Sequence, residues 1–236
     1  MSWEMNTIQF LRENSNLPGP RGNLTLLYEF SRDAKEGDIQ QCLNYITPDV
    51  SNSPEEFVGM CGIVSYSIAH RNDVEQVLSF LKPYASHSSW RIREAVAISI
   101  QEISEGNLKE VLSGMQRFID GNEFEKRAVV AGLCEPKLLK DREGNLRILS
   151  ILYTISKGLD HDRKLDDGGT SLRKALGYGW SVVVSAIPDD GKKIFGKLFD
   201  LSGKHITWII RENLKKNRLQ KMDAEWVEDC LKRVMS

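Results

Sequence analysis

Apolar residues recur at helical spacing in segment after segment of this chain, and that rhythm narrows its folds more than any other feature. In WRIREAVAISIQEI, residues 90–103, Ile92, Ala95, Val96, Ser99, Ile100 and Ile103 follow the i, i+3, i+4, i+7, i+8, i+11 pattern of one buried helix face. The two serines before Trp90 suit an N-cap, because a hydroxyl there accepts from the free N–H groups of the first turn. NLRILSILYTISKGL repeats the rhythm through Leu146, Leu149, Leu152 and Ile155, with Gly158 where a helix C-terminus would need a left-handed residue. DIQQCLNYI, DVEQVLSFL, NLKEVLSGMQRFI and AEWVEDCLKRVM read as shorter helices entered through Asp38, Asp73, Asn107 and Asp223.

Prolines punctuate these segments: Pro18, Pro20, Pro48, Pro54 and Pro188 fall between helices, Pro83 at a helix end, and Pro136 where a helix breaks or kinks. The β-branched run WSVVVSAI, Trp180 to Ile187, reads either as a buried strand or as the end of a helix starting near Thr170. No low-complexity segment divides the chain. We therefore expect an all-α protein with a single helical repeat domain over residues 1–236. Residues 1–50 would be an N-terminal cap or divergent repeat, and residues 220–236 a C-terminal capping helix.

A second pattern crosses the helices. Trp90-x-x-Arg93-Glu94 recurs as Trp208-x-x-Arg211-Glu212, 118 residues on. FEKRAVVAGL supplies Phe124 and Arg127 at the same spacing, and TSLRKALGYGW keeps only Arg173. Successive offsets of 34, 46 and 38 residues match two-helix repeats of irregular length, in which each pair buries its apolar face by stacking on its neighbours.

Here the chain resembles a HEAT-repeat protein, with SSWRIREAVAISIQEISEGNLKEVLSGMQRFI as the clearest unit. The HEAT pattern has an Asp near the first turn and an Arg a few residues later; Ser88 or Ser89 stands for that Asp, and Arg93 is present. RAVVAGLCEPKLL, LGYGWSVVVSAIPDDGKKIFGKL and ITWIIRENLKKNRL are similar to segments of bacterial and archaeal HEAT-repeat proteins without assigned activity. The resemblance runs from about Asn52 to the C-terminus. It implies a right-handed α-α superhelix, HEAT- or armadillo-like, of about five helix pairs.

Composition excludes several function classes. Hydrophobic content of 41% and charged content of 28% describe an ordinary globular chain. MSWEMNTIQF lacks a basic region followed by a long apolar stretch and no apolar run reaches membrane-span length, which places the protein in the cytoplasm without membrane contact. Cys42, Cys61, Cys134 and Cys230 are scattered, with no C-x-x-C pair and no histidine at zinc-ligand spacing, and read as buried free thiols. The net charge of -1 argues against obligate nucleic-acid binding, yet residues 191–221 hold nine basic residues against Asp200 and Glu212.

Three motifs invite chemistry and fall short of it. GKKIFGKL, Gly191 to Leu198, satisfies G-x-x-x-x-G-K, but Leu198 stands where a phosphate-binding loop needs a Mg²⁺-binding Ser or Thr; a lysine-rich, solvated helix after the Pro188 turn is expected. LDHDRKLDDGG gathers Asp160, Asp162, Asp166 and Asp167, but Lys164 and Ser171 occupy ligand positions of a calcium loop, so it reads as a flexible acidic connection. His70, His87, His161 and His205 accompany no nucleophile motif and read as solvated loop or helix-end residues.

The candidate binding residues are Trp90, Arg93, Arg127, Trp180, Trp208, Arg211, Lys215 and Arg218. As structure, the aromatics would fill seams between helix pairs while the arginines brace turns through carbonyls or acids. As function, arginines at equivalent repeat positions would hold phosphates or carboxylates. Arg211, Lys215 and Arg218, at i, i+4 and i+7, would share one helical face; Asn213 and Asn217 would either bond the next repeat's backbone or contact a ligand. With no complete catalytic constellation, the expectation is a non-enzymatic scaffold that binds a protein or peptide partner, with no cofactor and no metal. The alternative is nucleic-acid binding through the basic C-terminal region. It draws on a fold-level resemblance to HEAT-like alkylpurine DNA glycosylases, which set an Asp close to tryptophans; here Asp229 follows Trp226 in the terminal helix.

Overall fold

The computed structural model describes residues 7–235 and is all-α, with no strand among the described residues. Its packing divides into two compact units, residues 1–107 and 108–236.

The first unit runs α1 (Thr7–Glu13), α2 (Leu24–Asp33), α3 (Glu36–Leu43), α4 (Pro54–Ala69), α5 (Val74–Tyr84) and α6 (Trp90–Ser104). Its centre is α4, a mostly apolar helix with eleven buried residues that meets α1, α2, α3 and α6. Gly62 lets α4 approach closely: a Cβ there would lie 2.9 Å from the Leu43 backbone nitrogen at the end of α3. In α6 every residue of the expected face is buried, and the Ser89 hydroxyl accepts from the Arg91 and Ile92 N–H groups as the N-cap. Asp73 caps α5, whereas Asp38 sits inside α3 and its carboxylate reaches back to the Lys35 N–H.

The second unit runs α7 (Leu108–Gly114), α8 (Gln116–Ile119), α9 (Glu123–Leu133), α10 (Arg142–Lys157), α11 (Asp167–Ala186), α12 (Pro188–Gly196), α13 (Lys204–Leu214), α14 (Asn217–Met222) and α15 (Ala224–Met235). Here α11 is the centre, packed against α9, α10, α12, α13 and α14. The WSVVVSAI run is the C-terminal part of α11 and no strand: helix capping by Asp166 at one end and dense packing on all sides override its β-branched preference. In both units helices two apart in sequence lie side by side, α2 with α4 and α4 with α6, and α9 with α11 and α11 with α13.

The prolines act as the sequence suggests. Pro54 and Pro188 open α4 and α12 at the first helical position, and α9 ends before Pro136, which begins a short 3₁₀ turn, Pro136–Leu138. Gly158 departs from expectation, ending α10 in right-handed geometry at φ -64°.

Candidate functional site

The candidate residues scatter among three environments. Trp90 opens α6 and does not fill a seam, for 52% of its surface is exposed. The guanidinium stacked on it, 4.6 Å from the ring centroid, belongs to Arg91. Arg91 is itself buried, its Nη1 donating to Glu56 Oε2 at 3.0 Å and its Nη2 to the Gly19 carbonyl. The buried Glu56 carboxylate also accepts from the Ser89 hydroxyl and, at 2.9 Å, from the Asn52 N–H. This ion pair ties the 14–23 loop to the starts of α4 and α6. Arg93 turns back on its own helix entry, donating to the His87 and Ser88 carbonyls, which is the bracing role its position suggests.

In the second unit Trp180 lies wholly in the core, its indole N–H donating to Ser156 Oγ at 3.1 Å, so it faces no solvent-borne ligand. Phe124 packs against Gly168 of α11, with Arg127 half-buried beyond it on α9. Trp208 is half-buried against α11 where Gly177 makes room: a Cβ there would lie 2.7 Å from the indole ring.

Arg173, one turn before Gly177 on α11, also stacks on this ring, 4.6 Å from the Trp208 centroid. It also donates to His205 Nδ1 at 3.2 Å. An arginine has no acceptor to offer, so Nδ1 accepts and Nε2 donates to the Arg163 carbonyl at 2.8 Å. His205 is buried and structural, contrary to the solvated placement expected for it.

Arg211, Lys215 and Arg218 do not share a helical face. The helix ends at Leu214 and a new one starts at Asn217, with Lys216 extended between them at φ -77°, ψ 125°. Each side chain then takes a separate partner: Arg211 donates to the Val234 carbonyl near the end of α15, and Lys215 pairs with Glu212 at 2.5 Å. Arg218 donates to the Tyr178 hydroxyl at 2.6 Å and lies 4.7 Å from its ring centroid. Tyr178, 47% exposed, is the residue sequence reasoning passed over; its only signal was an aromatic between Gly177 and Gly179, one turn after Lys174. Asn213 is a buried staple, donating to the Leu176 and Ile209 carbonyls and accepting from the Ser181 N–H at 2.8 Å, while Asn217 is exposed.

The tempting motifs have structural uses. The glycine-lysine run lies within α12 and the turn after it, and Gly191 is small because a Cβ would lie 2.8 Å from the Val184 Cα. The acidic loop is a set of caps and is not a loose connection: Asp160 accepts from the Gly203 N–H and Asp162 from the Lys204 N–H, each at 2.7 Å, while Asp166 caps α11. No group of three metal-ligating side chains occurs among the described residues. All four cysteines are buried; burial pushes the Cys42 thiol up to about 12 and the Cys230 thiol up to about 11. No helix among the described residues is long and apolar enough to cross a membrane.

Comparison of the chain with protein-family models, with curated proteins and with solved structures gave no match.

Proposed function

We propose that this chain is a non-enzymatic interaction module of the HEAT-like solenoid type, whose helix pairs present exposed aromatic anchors to a protein or peptide partner. Side-by-side packing of every second helix in both units supports this reading, since stacked helix pairs place equivalent helices against one another. The observation that carries the partner reading is Trp90. A tryptophan 52% in solvent, seated on a guanidinium that the buried Glu56 holds in place, is a rigid amphipathic anchor of the kind that dominates protein interfaces.

The test is site-specific photocrosslinking in the producing cell, with a benzophenone amino acid at position 90 and, as control, at Glu75. A discrete adduct formed at position 90 and not at position 75 supports the reading. Equal or no adducts at the two positions, in protein shown to be folded, overturn it.

A second reading, nucleic-acid binding through the second unit, is favoured by one arrangement there, the exposed Tyr178 ring among cationic side chains.

A further inference from the structure

Around Tyr178 the second unit gathers an aromatic ring and unneutralised positive charge. Arg218 lies against the ring, and Lys216 Nζ is 5.8 Å from its centroid. Lys174 is exposed one helical turn before Tyr178 on α11, about 6 Å along the axis. Among the described residues none of these three cations is ion-paired, since Glu212, the acid of the adjoining helix, is taken by Lys215. The Arg218 guanidinium has five donors, and only the one to Tyr178 is engaged.

From this juxtaposition we infer that the Tyr178–Arg218 corner binds single-stranded nucleic acid, with an unpaired base stacked on the exposed part of the Tyr178 ring and flanking phosphates held by Arg218, Lys216 and Lys174. The cations alone would suit any polyanion, an acidic polypeptide included. The exposed ring at their centre favours a ligand that alternates planar π-faces with phosphates. A duplex hides its base faces in the stack and offers the ring nothing, so the strand is single. The inference is independent of a protein partner at Trp90, which lies in the other unit.

The experiment is fluorescence anisotropy of a labelled, unstructured oligo-dT strand against the full chain. Binding is expected at 50 mM salt and should weaken roughly 20-fold by 200 mM if about three phosphates are neutralised. Tyr178→Ala should reduce affinity roughly 5- to 150-fold, the loss of one stacked base, while Tyr178→Trp preserves it. Both substitutions fall at an exposed position, and circular dichroism checks that the fold is kept. The inference is overturned by no binding at low salt, by Tyr178→Ala binding as the parent does, or by duplex binding equally well. It is equally overturned if a polyglutamate peptide binds this corner in preference to oligo-dT, which would assign the surface to an acidic polypeptide.

Discussion

Removing Arg91 tests whether the buried ion pair holds the first unit together. Its side chain is 5% exposed and that of Glu56 1%, so neither group can turn to water when the other is lost. Arg91→Met replaces the stem with apolar volume. It leaves the Glu56 carboxylate buried with only the Ser89 hydroxyl and Asn52 N–H as donors, and takes a donor from the Gly19 carbonyl. Breaking a buried pair by deleting one partner costs about 3–5 kcal/mol, because an uncompensated charge stays in a poorly polarisable site. Urea unfolding, followed by tryptophan fluorescence and backbone dichroism, reads the change. For a slope of about 2 kcal/mol/M the midpoint falls by roughly 1.5–2.5 M.

The decisive comparison is the double variant Glu56→Gln/Arg91→Met, which removes both charges and keeps an acceptor for Ser89 and Asn52. It should recover at least half of the loss, a coupling well beyond the additivity of independent sites. A loss below about 1 kcal/mol in Arg91→Met, or a double variant as unstable as the two single changes summed, would refute the reasoning.

Asn213→Ala deprives the Leu176 and Ile209 carbonyls of a side-chain donor and the Ser181 N–H of an acceptor inside the packed α11–α13 seam; thermal or urea unfolding should show a loss of about 2 kcal/mol, and Asn213→Asp should fare no better because a carboxylate cannot donate. The thiols predict alkaline sensitivity. Burial raises Cys42 from 9.0 to about 12 in the folded chain, so its contribution is complete below pH 9 and declines as pH rises toward 12, by about 1.4 kcal/mol per unit. Cys42→Ala should flatten that decline, and a thiol reagent at pH 8 should label the cysteines only after denaturation.

Legibility in the sequence followed how local the governing physics was. The face of α6, the Ser89 and Asp73 caps and the opening prolines were all readable, since each depends on residues within a turn or two. The aromatic-x-x-Arg pattern recurs along the sequence and is unreadable as an environment. Phe124 and Trp208 are half-buried because Gly168 and Gly177, 44 residues after the first and 31 before the second, leave room for their rings. Trp90 carries the same local signature and stands in solvent. The break between α13 and α14 left no mark either: LKKNRL contains neither Gly nor Pro, and helical continuity through it would have given Arg211, Lys215 and Arg218 one face. The acidic loop read as loose because its carboxylates answer N–H groups of Gly203 and Lys204, some forty residues away.

The same distinction governs the basic C-terminal region. Counted along the sequence, nine basic residues against two acids suggest a broad cationic surface for a polyanion. In space Lys192 is bridged to Asp223 at 2.8 Å and Lys215 to Glu212, while Arg211 keeps its charge and points it at the Val234 carbonyl. The Lys192–Asp223 bond lowers the Asp223 carboxyl and raises the Lys192 amine, as a satisfied pair does. Charge excess therefore overstates what a ligand would meet. Arg218 and Lys216 are set apart by Tyr178, which holds cations against an exposed ring without neutralising them, and Lys174, outside the counted segment altogether, joins them through the periodicity of α11. A ligand selected by this corner would recognise the ring and the cations together, so a charge-reversal scan across residues 191–221 should show loss at Lys216 and Arg218 and little effect at Lys192, whose charge Asp223 already answers.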